Sequence, residues 1–215
     1  MPDLHEPDSA TDVTDAPLVP PGPMTEAEFF AWCHEDVRAE WVDGEVVIMS
    51  PESMRNNELA LFLVSVLQNF PGLRDVGQIL GLTAMIRLGA QRRLRVPDLF
   101  FVCKERLAQM RTHHFEGAPD LVMEIVSPDS VTRDWRDKYQ DYEAAGVREY
   151  WVIDPLEQRM EAFALDVNGS FGRISERDGR IESTVLPGFF LRPSWLWERT
   201  PRSAGEALRE MGLSP

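Results

Sequence analysis

The middle of the chain contains one helical segment between two short apolar segments. Residues 121–126, LVMEIV, and 149–153, EYWVI, have the length and apolar character of buried strands. Residues 130–146 between them place Trp135, Tyr139 and Tyr142 on an inner stripe at helical spacing, and they end in a glycine that suits a left-handed helix cap. A strand, a helix and a strand in this order predict a parallel crossover.

The flanking segments add helices and strands to this unit. Thr25 and Glu28 have capping-box spacing and predict a short helix, and Asp43-Gly44 between apolar runs predicts a hairpin. Apolar residues at helical spacing predict an amphipathic helix from 50 to 70. Other predictions are strands at 78–88 and 94–102 around a turn at 89–93, a polar excursion at 104–117 that could hold a short helix, and a terminal hairpin of 159–165 with 180–186. Helices on a mixed sheet make this an α/β or α+β domain.

Composition divides the chain into one domain and two tails. Residues 1–23 hold six prolines and five acids with no lysine or arginine, which is typical of a disordered acidic tail. Residues 24–197 are long enough for one domain with its own core, and 198–215 read as a C-terminal tail that could hold a loose helix.

Charge and apolar patterning exclude several classes of protein. The net charge is −14, of which the N-terminal tail supplies −5, so the remaining −9 counts against a high-affinity nucleic-acid binder. An enzyme with a local, metal-assisted site stays compatible with this charge. No apolar run approaches the ~18 residues that cross a bilayer, and the N-terminus lacks a secretory signal. Cys33 and Cys103 form no CxxC motif, so we expect two reduced thiols in a cytoplasmic protein and no zinc site.

Two carboxylates lie on predicted apolar strands. Glu124 is in the middle of LVMEIV, and Asp98 opens the strand DLFFV. If the strands are neighbours, both side chains can converge on one face, where they would repel each other unless a cation lay between them. A hard divalent cation such as Mg²⁺ fits two carboxylates and waters. The alternatives are that Glu124 ends its strand or pairs with Arg87 or Arg95, and that Asp98 serves only the turn after its proline.

Lys138 lies on the helix that follows the Glu124 strand. If this helix packs across the sheet, the ammonium can reach back over the strand end, where it could orient a water or stabilise charge on a phosphate. The alternative is an exposed ion pair with Asp134, four residues earlier, worth only about 0.3 to 0.5 kcal/mol.

Several segments resemble the Uma-type family, bacterial proteins described as endonucleases within the PD-(D/E)XK restriction-endonuclease-like superfamily. The resemblance covers about residues 24–197 and is most specific over 117–155; it is carried by AEWVDGEVVIMSPES, VPDLFFV, GAPDLVMEIVSPDSVTRDWRDKYQDYEAAGVREYWVIDP and LPGFF. It implies a mixed central sheet flanked by helices, and hydrolysis of DNA phosphodiester bonds that depends on Mg²⁺, with Mn²⁺ as a possible substitute. Asp98 and Glu124 would be the metal ligands. The catalytic residues would be Asp98, Glu124 and Lys138.

The chain also departs from the pattern that the resemblance implies. The superfamily places a lysine two residues after the second acid, where this chain has Val126. The Uma-type pattern shares this departure and has a helical lysine, here Lys138, which the resemblance implies as the substitute. Asn56 stands where the family usually has a histidine, and an amide cannot take a proton near neutral pH. A catalytically degenerate domain that acts as a binding or scaffold module is therefore the alternative function.

Further residues and partners complete these expectations. Glu40 is a possible additional ligand, Glu45 is expected on the exposed side of the hairpin, and Asp134 is expected to hold Lys138 in place. His113 and His114 are expected in a solvated loop. DNA contact would be weak or local, RNA and branched DNA stay open as substrates, and a homodimer is expected only by analogy with enzymes that cut both strands of a duplex.

Overall fold

The polypeptide forms mixed β-sheets flanked by helices in a computed structural model that describes residues 22–34, 37–198 and 202–213. The helices are α1 Glu26–Trp32, α2 Met54–Gln68, α3 Leu73–Val76, α4 Lys138–Ala145, α5 Pro193–Leu196 and α6 Ala204–Glu210, with 3₁₀ turns at Gly89–Gln91 and Lys104–Gln109 and a π-helical turn at Arg133–Asp137. The strands are β1 Ala39–Val42, β2 Glu45–Ile48, β3 Gly77–Gly81, β4 Met85–Leu88, β5 Arg93–Arg95, β6 Leu99–Cys103, β7 His114–Glu116, β8 Leu121–Ile125, β9 Glu149–Asp154, β10 Arg159–Leu165, β11 Phe171–Arg173, β12 Ile181–Glu182 and β13 Phe190–Leu191. The predicted mixed α/β fold is confirmed. None of the helices in the described part is long and apolar enough to cross a membrane.

The larger sheet contains the predicted parallel crossover. Its strand order is β11-β10-β9-β8-β6-β3, and β8 pairs in parallel with β9 in a register that sets Ile125 opposite Ile153. Both strands are buried along their whole length, as expected for strands covered on two faces. Met123 and Trp151 pack with α2 on one face, whereas Val122 and Val152 pack on the other face with Tyr142 of α4.

The smaller sheet, in the order β2-β1-β5-β4-β7, carries the predicted hairpin. Asp43 and Gly44 form its turn with φ of 52° and 102°, in the left-handed region that Asp-Gly turns favour. The capping box of Thr25 and Glu28 is also present at the start of α1, and Phe29 of that helix packs in the core beside this sheet.

Three strand predictions are wrong. The segments 78–88 and 94–102 each divide into two strands that belong to different sheets: β3 and β6 lie in the larger sheet, β4 and β5 in the smaller one. Leu82 turns the chain with φ of 67°, and Pro97, which has no N–H for a ladder, interrupts the second segment. Segments 159–165 and 180–186 do not pair, because a tight turn at 166–170 brings β11 against β10 first, and β12 pairs with β13.

The predicted tails differ in what the structure describes. Residues 1–21 of the N-terminal tail lie outside the described residues. Within the C-terminal segment 198–215, Ser203 and Glu206 form a capping box at the start of α6. Ala207 and Leu208 of this helix are buried in the same core cluster as α2.

Candidate active site

Asp98 and Glu124 converge on one face of the larger sheet. Strands β6 and β8 are antiparallel with Leu99 opposite Met123, so continuing the ladder by one residue sets Asp98 opposite Glu124. Opposed residues of an antiparallel pair project to the same face. One Asp98 oxygen, Oδ2, accepts the backbone N–H of Ile125 at 2.7 Å, which holds the carboxylate beside the end of β8.

Lys138 lies buried among three carboxylates. Its Nζ is 2.8 Å from Glu124 Oε2, 3.3 Å from Asp134 Oδ1 and 3.5 Å from Glu40 Oε1. The alternative of an exposed pair with Asp134 is wrong, because both side chains are only 2% exposed. The helix therefore carries its ammonium back over the strand that holds Glu124.

The helix that carries Lys138 begins with a widened turn. The backbone N–H of Lys138 donates to the carbonyl oxygen of Arg133, five residues earlier, which is the hydrogen bond of a π-helix. The hydroxyl of Tyr150 donates to the carbonyl oxygen of Asp134 at 2.8 Å, and the Ser130 hydroxyl donates to the Asp134 carboxylate. These contacts fix Asp134 beside Lys138; π-helical turns occur frequently at functional sites.

Tyr142 holds the second oxygen of Glu124. Its hydroxyl donates to Glu124 Oε1 at 2.6 Å, and Lys138 forms an ion pair with Oε2. Both oxygens of Glu124 therefore have a partner. Glu124 thus pairs with neither Arg87 nor Arg95, contrary to that alternative. The sequence reading assigned Tyr142 only to an apolar stripe; its position one helical turn after Lys138 is the signal that could have placed it at the site.

A second group of buried charges supports Glu40. Arg95 Nη1 lies 2.7 Å from Glu40 Oε2, and Arg95 Nε donates to Asp141 Oδ2 at 3.0 Å. The backbone N–H of Val96 donates to Glu40 Oε1 at 3.1 Å. Sequence reasoning missed Asp141 and the pairing of Arg95 with Glu40 and Asp141. An arginine between apolar residues of a strand was the available signal.

Asn56 joins helix α2 to the end of β8. Its side-chain amide donates to the carbonyl oxygens of Ile125 (3.3 Å) and Val126 (3.1 Å), and its own carbonyl oxygen accepts the Ser53 hydroxyl at 3.0 Å. The amide is therefore used in packing the two elements together. Val126, where the resemblance to the superfamily implies a strand lysine, is buried in the apolar core.

The other residues predicted from the sequence lie outside this group of buried charges. Glu45 is exposed on β2, as expected. His113 is exposed, but His114 belongs to β7 rather than to a loop, with its Nε2 3.3 Å from Glu116 Oε2. Neither Cys33 nor Cys103 forms a disulfide.

Acids outnumber bases around the centre. Four cations (Arg38, Arg93, Arg95 and Lys138) pair there with seven carboxylates: Glu40, Asp43, Glu52, Asp98, Glu124, Asp134 and Asp141. Burial raises the pKa of Asp98 to about 6, although Lys138 and the Ile125 N–H act to lower it. Burial likewise raises the pKa of Glu124, with repulsion from Asp134 and Asp98 adding to it. Burial would also raise the pKa of Glu40, but Lys138 and Arg95 outweigh it and hold that pKa at about 2.

The donor set at Asp98 and Glu124 suits a hard divalent cation. No cluster of three or more histidine, cysteine, aspartate or glutamate side chains arranged to hold a metal ion occurs among the described residues. Mg²⁺, however, commonly takes only one or two carboxylates and completes its octahedron with waters and phosphate oxygens. Two opposed carboxylates in a region with surplus negative charge meet that requirement.

Comparisons with known proteins point to one family. The model of the Uma2 family, described as "Putative restriction endonuclease", matches residues 26–194. A crystal structure from Anabaena variabilis, described as "a putative nuclease belonging to DUF820", has a TM-score of 0.69 at 19% identity and covers 81% of this chain and 98% of that chain. At this identity the likeness shows the fold alone. No curated protein matches the chain.

Proposed function

The chain belongs to the Uma2 family, and we propose from this and from the site geometry that it is a metal-dependent endonuclease that hydrolyses DNA phosphodiester bonds. The observation that carries the proposal is the placement of Asp98 and Glu124 opposite each other, with the Lys138 ammonium 2.8 Å from Glu124. Carboxylates beside a cationic group are the parts that metal-assisted phosphate chemistry needs.

Asp98 and Glu124 are the proposed ligands of Mg²⁺, or of Mn²⁺ in its place. A divalent cation bound there would polarise the scissile phosphate and lower the pKa of a bound water. The Ile125 N–H orients Asp98, while Tyr142 and Lys138 fix both oxygens of Glu124. The protein therefore holds its two ligands in place before any substrate arrives.

Lys138 is the proposed electrostatic partner of the reacting phosphate. Asp134 and Glu40 hold its ammonium in place from two sides. A fixed positive charge next to the ligands can stabilise the negative charge that develops on the phosphate oxygens. Glu40, Asp134 and Asn56 act on this centre as positioning residues in the proposal.

Cleavage of supercoiled plasmid in Mg²⁺ or Mn²⁺ tests the function. Asp98→Asn and Glu124→Gln keep the size of the side chains but remove the ligand charge, so each should abolish nicking that the wild type shows. Asp129→Asn is the matched control, because Asp129 also follows a proline but is exposed. Equal cleavage by wild type and Asp98→Asn would refute the assignment.

A binding or scaffold module is the second candidate. The side chains of Lys138 and Glu124 are both 2% exposed, which limits access of a phosphate to them, and Asn56 replaces the histidine of the family pattern. This candidate predicts no cleavage of plasmid, single-stranded DNA, branched DNA or RNA with either metal, together with no metal binding by calorimetry.

A further inference from the structure

Two adjoining cavities lie beside the candidate active site. Their volumes are about 590 and about 320 Å³, and they share the lining residues Thr83, Met85 and His113. Arg38 and Val96 line the larger cavity, and His114 and Phe115 of β7 line the smaller one. We call the pair the β4 trough, because β4 supplies part of the wall of each cavity.

The chemistry of the β4 trough contrasts with the acidic chain. The chain has a net charge of −14, yet none of the described residues that line the trough is an aspartate or glutamate. The lining instead combines cations, imidazoles and a partly exposed aromatic ring: Arg38, Arg111, His34, His113 and Phe30. Phe115 also lines the trough but is buried in the core. A cationic and aromatic lining is the combination that binds a phosphate backbone and stacks bases.

Two polar atoms of the lining residues lack partners. Arg38 Nε and His114 Nδ1 are buried and form no hydrogen bond with any described residue. Buried polar atoms are nearly always paired in folded proteins, so an unpaired atom calls for a specific explanation. Both belong to residues that line the trough, although the two atoms themselves are enclosed by protein.

Arg38 connects the trough to the candidate active site. Its Nη2 lies 3.5 Å from Asp98 Oδ1, and its Nη1 lies 2.8 Å from Glu52 Oε1. A strand whose phosphate reached Asp98 would therefore lie beside Arg38, which also lines the trough.

We propose that the β4 trough binds an unpaired nucleic-acid strand next to the scissile phosphate, so that the preferred substrate is single-stranded or locally unpaired. This rests on the proposed nuclease function. Cavities of these volumes fall in the range that encloses small ligands. Bases in a duplex stack on each other and cannot present their faces to side chains, so only unpaired nucleotides can use this lining.

Binding of labelled oligonucleotides in EDTA tests the trough apart from catalysis. The probes are a single strand of about 12 nucleotides and its duplex, as DNA and as RNA, measured by fluorescence anisotropy. Thr83→Trp fills the shared wall, with Val167→Trp on an exposed turn as its control. Arg111→Gln removes a trough charge, with the exposed Arg177→Gln as its control.

The wild type should bind a single strand at least about tenfold more tightly than the duplex, and Thr83→Trp should lose about tenfold of that affinity. Arg111→Gln should weaken binding and reduce the salt slope by about one, while both controls bind as the wild type does. Equal affinity for strand and duplex, or unchanged binding by Thr83→Trp, would overturn the proposal. If Asp98→Asn still binds the single strand and Thr83→Trp does not, the result supports the trough proposal. This holds even if the wild type cleaves none of the substrates.

Discussion

Lys138 carries the positive charge at the centre of the candidate site. The chain has two lysines: Lys104 is exposed, whereas Lys138 is buried among Glu40, Glu124 and Asp134. Those acids raise the pKa of Lys138 against the opposing effect of burial, so the side chain stays charged. Removing one member of a buried ion-pair network leaves the remaining charges without compensation.

Lys138→Met should therefore lower the free energy of unfolding by about 3 to 5 kcal/mol. Urea denaturation of both proteins measures it, with Lys104→Met as the control that should change the free energy by less than about 0.5 kcal/mol. Adding Glu124→Gln to Lys138→Met should restore part of the loss, because one uncompensated charge is removed. A Lys138→Met protein as stable as the wild type would show that Lys138 does not balance these acids.

Glu40 should make the protein sensitive to acid. Its folded pKa of about 2 lies below its ordinary value of 4.5, so its stabilising contribution is complete above 4.5 and is lost as the pH falls towards 2. The stability difference between wild type and Glu40→Gln should shrink by about 2 kcal/mol between pH 6 and pH 3. Denaturation across this range measures it. Glu45→Gln, exposed on the adjacent strand, is the matched control for the substitution itself. A pH-independent difference for Glu40→Gln would contradict the ion pairing described.

At the scale of elements, Asn56 ties helix α2 to strand β8. Replacing it with alanine leaves the carbonyl oxygens of Ile125 and Val126 without that donor, so Asn56→Ala should cost about 1 to 3 kcal/mol of unfolding free energy. The neighbouring Asn57 is exposed, and Asn57→Ala should have little effect. Equal losses for the two variants in urea denaturation would mean that the amide contacts do not join the elements.

Elements with local signals were predictable from sequence. The Asp43-Gly44 hairpin, helix α2 and the crossover from β8 to β9 each follow from turn residues or apolar periodicity within a short window. The division of 78–88 between two sheets was not predictable in this way, because strand partners are chosen by long-range packing. The separation of 159–165 from 180–186 has the same cause.

The acids and the lysine of the candidate site were predictable from the sequence, but most of the residues that hold them in place were not. Asp98 and Glu124 are unusual residues for apolar strands, and Lys138 is at a helix position that can reach them. The pairing of Arg95 with Asp141 joins residues 46 positions apart, and the role of Arg38 depends on Asp98, 60 positions away. Neither pairing has a local sequence pattern.

At the scale of the whole molecule, charge is distributed unevenly. The net charge is −14, and the surplus of carboxylates around Lys138 concentrates part of it at the candidate site, while the lining of the β4 trough has no described acid. An acidic molecule repels phosphate at long range, so productive contact with nucleic acid depends on a local region of positive electrostatic potential. A divalent cation at Asp98 and Glu124 would supply that positive potential next to the trough.

Calorimetric titration with Mn²⁺ and Mg²⁺ tests the central claim, that Asp98 and Glu124 together hold a divalent cation. The wild type should bind a single cation, Asp98→Asn and Glu124→Gln should each weaken binding by at least about tenfold, or about 1.4 kcal/mol, and Asp129→Asn should bind as the wild type does. Absence of binding by the wild type, or affinity that Asp98→Asn and Glu124→Gln leave unchanged, would contradict the account.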